Sequence, residues 1–151
     1  MRKTMLGIVA LTIAASAAAI EPGNWEASSQ ATDIQLSGDL PPQVANMVRD
    51  AINDRRMTST NCITQDQIDN APENLFQESE GQCRYTEFSM SGGTLHGVAQ
   101  CTMEQGTMNM TMDGTYTAST YDMDMTMTGD MGMGPMSMSM HVTGRRIGEC
   151  S

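Results

Sequence analysis

Between residues 108 and 140 a methionine stands at almost every second position in three runs: Met108, Met110, Met112; Met123, Met125, Met127; and, after Met131 and Met133, Met136, Met138, Met140. A helix would scatter a two-residue period around its circumference, whereas an extended strand turns every second side chain to the same face. The intervening residues are polar: Thr107, Asn109, Thr111 and Asp113; Asp122, Asp124, Thr126 and Thr128; Ser137, Ser139 and His141. Each run therefore predicts a strand with one apolar and one polar face, methionine standing where valine or leucine is usual.

The start of the chain reads differently. Met1-Arg2-Lys3, an apolar run from Met5 to Ile13 and the small-residue stretch Ala14 to Ala19 have the order of a secretory signal peptide, with cleavage after Ala17 or Ala19 fitting equally. The expectation is a leader over residues 1–19 and one domain over 20–151. No cysteine lies near either cleavage site to accept a lipid, so a soluble periplasmic protein without a lipid anchor or membrane span is expected. Removing Arg2 and Lys3 from the eight basic residues leaves six arginines against eighteen acids, a net charge of about −12 that excludes nucleic acid and anionic lipid as partners. In an oxidising compartment Cys62, Cys83, Cys101 and Cys150 are expected in disulfides. Zinc sites bring cysteines in close pairs, and here the nearest two are eighteen residues apart.

Along the chain, Trp25 to Leu36 alternates through Trp25, Ala27, Ser29 and Ala31, then changes phase to Ile34 and Leu36, which predicts a strand with a bulge. Pro41-Pro42 opens an amphipathic helix carrying Val44, Met47, Val48, Ala51 and Ile52 on one side, expected to cover a sheet. Met57 to Ile63 is extended. Thr64 to Gln67 is a capping box for a short helix that Pro72 ends or interrupts. Strands follow over Arg84–Met90, Thr94–Met103, Thr107–Tyr116, Ala118–Thr128 and Met136–Ile147, with Gly106, Gly114, Gly129, Gly132 and Gly134 in or beside the breaks. The sum is a mainly β (α+β) antiparallel meander of about seven strands, expected to curl into a barrel or half-barrel, with two helices early.

The turn Ser91-Gly92-Gly93 bears on the cysteines. A two-residue Gly92-Gly93 turn sets Ser91 opposite Thr94 and Cys83 opposite Thr102, while a three-residue turn sets Cys83 opposite Cys101. Two pairings stay open: Cys83 with Cys101 and Cys62 with Cys150, or Cys62 with Cys83 and Cys101 with Cys150.

No nucleophile elbow, zinc-protease motif, phosphate-binding loop or nucleotide fingerprint is present. The paired carboxylates Asp122 and Asp124 are expected to solvate an exposed strand face, and Arg145-Arg146 to balance nearby acids rather than hold a carboxylate or phosphate. The chain is thus expected not to be an enzyme and to need no cofactor. Its methionines are first a core with Trp25 and Phe88, and the chain is expected to bind or shield an apolar ligand or envelope protein, or to contribute structurally to the envelope, with sacrificial oxidation of exposed methionines a further use. The alternative is a soft-metal site for Cu(I) or Ag(I) built from Met108, Met110, Met112, Met123, Met125, Met127, Met136, Met138 and Met140. His141, the nearest imidazole, falls on the face opposite its strand's methionines, and His96 has no assigned partner.

Several segments carry a family resemblance: Pro22-Gly23-Asn24-Trp25-Glu26, Cys62-Ile63-Thr64, Cys83 with Glu87-Phe88 and Ser91-Gly92 leading to Cys101, the methionine and threonine-rich middle, and the closing Gly144-Arg145-Arg146-Ile147-Gly148-Glu149-Cys150. In order and spacing the chain resembles domain-of-unknown-function family 3617, a group of exported proteobacterial proteins common in sphingomonads. The resemblance implies a secreted β-rich domain with paired cysteines and carries no catalytic residue with it.

Overall fold

The alternation expected of the second half of the chain becomes a ladder of hairpins. A computed structural model describes residues 19–36, 40–53, 55–70, 72–76, 83–104, 106–130 and 134–151. The leader expected over residues 1–19 lies outside the described residues except for Ala19. Seven strands, β1 (Gly23–Leu36), β2 (Arg56–Ile63), β3 (Cys83–Ser91), β4 (Thr94–Met103), β5 (Gly106–Tyr116), β6 (Thr120–Asp130) and β7 (Pro135–Gly148), form one antiparallel sheet in the order β2-β1-β7-β6-β5-β4-β3. Two helices, α1 (Pro42–Asn53) and α2 (Gln65–Asn70), and a 3-10 turn over Pro72–Phe76 lie between β1 and β3.

Local chemistry accounts for the ends of these elements. Gly92 and Gly93 both take positive φ, +61° and +82°, the pair of angles a two-residue hairpin turn demands. In the capping box the Thr64 N–H donates to Gln67 Oε1 at 2.9 Å and the Gln67 N–H donates back to Thr64 Oγ1 at 3.3 Å. The phase change in β1 is a bulge between Ala31 and Asp33, which restores Ile34 to the apolar face opposite Met138.

Closure into a barrel does not occur. The sheet is open and not strongly curled, with β2 and β3 as its outer strands and no ladder joining them among the described residues. The physical reason lies in the β2 to β3 connection, whose Ile68 and Leu75 pack against the core. Ile68 and Leu75 thereby cover part of the apolar face without the sheet rolling onto itself.

The expected role of α1 also needs correcting. None of its residues is buried, and Met47 is 69% exposed, so the helix does not cover the sheet. Its place follows from its neighbours. Because β2 starts at Arg56, paired with Gln30, the helix is confined beside the far end of β1, where Arg49 Nε donates to the Ile34 carbonyl at 3.4 Å.

The core lies under the connection. Trp25 and Met112 are 0% exposed, and Ile20, Ile63, Leu75, Leu95, Ala99, Met110, Tyr121, Met123 and Val142 complete a buried cluster. Trp25 stacks on Tyr121 with ring centroids 5.7 Å apart, and its Nε1 donates to the Glu21 carbonyl at 3.1 Å. Phe88, half-buried, meets Tyr85 edge-on at 5.3 Å.

Candidate functional site

The register of β5, β6 and β7 lines the methionines up across strands as well as along them. Met110 stands opposite Met127, which stands opposite Met138; Met112 stands opposite Met125, which stands opposite Met140. Met108 and Met136 flank Gly129, and Met123 lies between Gly114 and Val142. All nine methionines named above therefore share the apolar face, while Met131 and Met133 lie outside the described residues. Burial divides them: Met108, Met110, Met112 and Met123 are buried, and Met125, Met127, Met136, Met138 and Met140 are half-buried. The half-buried methionines lie on β6 and β7, between buried Met108, Met110 and Met112 on β5 and buried Ile34 on β1.

Tyr85 sets a hydroxyl into this face. Its hydroxyl donates to Met112 Sδ at 3.8 Å, and burial, with the Glu73 charge adding to it, pushes its pKa up to about 12, so it remains a donor at any physiological pH.

The opposite face carries the titratable groups, and one cross-strand row gathers both histidines. His96 on β4 faces Asp113 on β5, Asp113 faces Asp124 on β6, and Asp124 faces His141 on β7. The two inner carboxylates are like charges directly opposed, an unfavourable pairing that the outer rings offset. His96 Nδ1 lies 2.6 Å from Asp113 Oδ1, and His141 Nδ1 lies 2.9 Å from Asp124 Oδ1. Each ring has a second carboxylate beyond it, Glu87 at 3.9 Å from His96 Nε2 and Asp122 at 3.6 Å from His141 Nε2. The hydrogen bond to Asp124 raises the His141 pKa; slight desolvation opposes it, and the Asp122 and Asp124 charges add to it. This row escaped the sequence analysis because His96 and Asp113 meet only through the β4–β5 register. The available signal was parity: all four residues fall at positions out of phase with the methionines.

Among the described residues no group of three or more His, Cys, Asp or Glu side chains is arranged to hold a metal ion, and no helix is long and apolar enough to cross a membrane. The four cysteines form two disulfides, Cys62–Cys150 and Cys83–Cys101. Arg145 donates through Nε and Nη2 to Glu26 Oε1 at 2.9 and 2.8 Å; Arg146 donates to the Pro22 carbonyl at 2.7 Å and pairs with Glu149.

A family described as a protein of unknown function, DUF3617, matches residues 20–150. The chain belongs to the DUF3617 family. No curated protein and no solved structure matches it. In this DUF3617 domain the first and last segments of the resemblance meet in space: Trp25 is buried, Glu26 holds Arg145, the Pro22 carbonyl accepts from Arg146, and Cys150 reaches Cys62. The ends of the domain are thus joined by side chains close to its disulfide.

Proposed function

We propose that this DUF3617 domain is a non-catalytic binding protein of the periplasm, exported by its N-terminal leader, that takes an apolar ligand or an apolar segment of an envelope protein against its methionine face. The observation that carries this reading is a less covered stretch within one cross-strand row. Met127 and Met138 are half-buried between Met110 and Ile34, which are buried. Methionine suits such a surface because its flexible, polarizable side chain adapts to occupants of different shape. Two disulfides and the leader sequence support export. The test is a fluorescence titration of the oxidised domain with 1-anilinonaphthalene-8-sulfonate, competed by a medium-chain fatty acid. Saturable binding lost in Met127→Glu and Met138→Glu variants supports the reading; no saturable binding by the folded domain removes it.

A second reading, Cu(I) or Ag(I) binding, is favoured by the alignment of thioethers from three adjacent strands in the rows Met110–Met127–Met138 and Met112–Met125–Met140. Anaerobic Cu(I) titration against a competing chelator separates the two. Replacing Met127 and Met138 by leucine abolishes ion binding if sulfur is the ligand and leaves apolar binding in place.

A further inference from the structure

Away from the methionine face, on the polar side of β2, β1 and β7, lies a depression of about 500 Å³ lined by residues of all three strands. The sheet register arranges these residues in rows. Arg56, Gln30 and His141 form one row, Thr58, Ser28 and Thr143 the next, and Glu26 with Arg145 the third. A band of three hydroxyls is therefore bracketed by Arg56 and His141 on one side and by Arg145 on the other.

Both arginines are held in place. Arg56 Nη2 donates to Gln30 Oε1 at 3.1 Å, and Arg145 is fixed by Glu26 through Nε and Nη2, leaving Nη1 without an intramolecular acceptor among the described residues. The side-chain hydroxyls of Ser28, Thr58 and Thr143 also make no intramolecular hydrogen bond among the described residues. The sign of the charge is unusual for this chain. Eighteen acids outnumber its arginines, yet the depression brings two arginines together with one carboxylate, itself engaged by Arg145, while its His141 is turned to Asp124 and Asp122. On the next strand Asp122 stands opposite Thr143 and Asp124 opposite His141, with Asp113 and Glu87 farther out, so an anion is repelled from the His141 edge and settles toward the arginines.

We propose that the depression binds an oxyanion carried on a hydroxylated small molecule, the phosphate or carboxylate of an acidic sugar. The arginines supply charge-assisted donors to the oxyanion, and the hydroxyl band and Gln30 supply donors and acceptors to the sugar hydroxyls. This site is independent of the apolar one, since it uses the other face of the sheet.

The experiment is calorimetric or NMR titration of the disulfide-intact domain at low ionic strength with glucose 6-phosphate, glucuronate and glucose. One or both anions are expected to bind saturably at one site, more tightly than glucose, and whichever anion binds more tightly names the source of the oxyanion. Arg56→Gln and Arg145→Gln are each expected to weaken that binding by about tenfold, the loss of one charge-assisted hydrogen bond. Thr58→Val, on an exposed outer strand where a β-branched residue is kept, tests the hydroxyl band without endangering the fold, and is expected to weaken binding measurably. Absence of saturable binding by either anion, glucose binding as tightly as the anions, or anion binding unchanged in both arginine variants overturns the proposal.

Discussion

The ring of Tyr121 lies over Gly144, its cross-strand partner, so closely that a Cβ built on Gly144 would stand 2.0 Å from Tyr121 Cζ. Trp25 stacks against the same ring, so the tyrosine has no free side toward which to retreat. Gly144→Ala is expected to destabilise the domain by about 1–3 kcal/mol, the range for overpacking a filled core. At Gly97 the nearest atoms are Cγ and Sδ of Met112 at 2.9 and 3.1 Å, and a methionine can swing aside. Gly97→Ala should therefore cost less than Gly144→Ala in urea denaturation; an equal or larger cost would show that Met112 is held as rigidly as the stacked ring.

The methionine face predicts its own gradient. Met112→Ala, at a fully buried position, is expected to cost about 2–5 kcal/mol, while Met138→Ala, half-buried, should cost clearly less. Met112→Leu should stay within about 1.5 kcal/mol, because volume is kept. Denaturant midpoints of the three variants check the order.

The two disulfides close loops of different size. Cys62–Cys150 spans 88 residues and Cys83–Cys101 spans 18. By the chain-entropy argument the longer loop contributes about 4–5 kcal/mol and the shorter about 3 kcal/mol. Paired serine substitution at Cys62 and Cys150 is expected to lower the melting temperature more than the same change at Cys83 and Cys101.

Stability should also depend on pH through His141. Its folded pKa is raised above the ordinary value of 6.5, chiefly by the hydrogen bond to Asp124, so the folded state binds the proton more tightly than the unfolded chain does. The resulting stabilisation is complete below the unfolded pKa and is lost as pH rises through the folded one. Because the ring is partly exposed, water screens the effect and it should be small. Denaturation midpoints measured upward from about pH 6 should fall in the native chain and fall less in Asp124→Asn.

The hairpin of β3 and β4 shows where sequence reasoning stopped. The Gly92-Gly93 turn sets Ser91 opposite Thr94 as a two-residue turn must, which by simple counting puts Cys83 opposite Thr102. A bulge between Tyr85 and Glu87 adds one residue to β3, so Cys83 faces Cys101 after all. The mark of that bulge is the step of three from Tyr85 to Phe88, both of which reach the core, just as the step from Ala31 to Ile34 marks the bulge in β1. The β1 step was read from the sequence as a bulge and the β3 step was not. Gly129, read from the sequence as in or beside a break, stands next to the last residue of β6, where Met108 folds against it.

The sequence by itself determined which residues share a face. A two-residue period is a local property of extended backbone, so within each strand the methionines were committed to one side and the polar residues between them, Asp122, Asp124 and His141 included, to the other before any strand found its neighbour. Only the tertiary structure decided which strands are adjacent, and with that the disulfide pairing, the His96–Asp113–Asp124–His141 row and the arginine-flanked depression. It also decided that the sheet stays open and that α1 remains exposed beside the far end of β1, since β2 pairs with β1 from Arg56 onward. Those outcomes arise from contacts between residues far apart in the chain, where the entropy of closing loops and the packing of the face they cover act together.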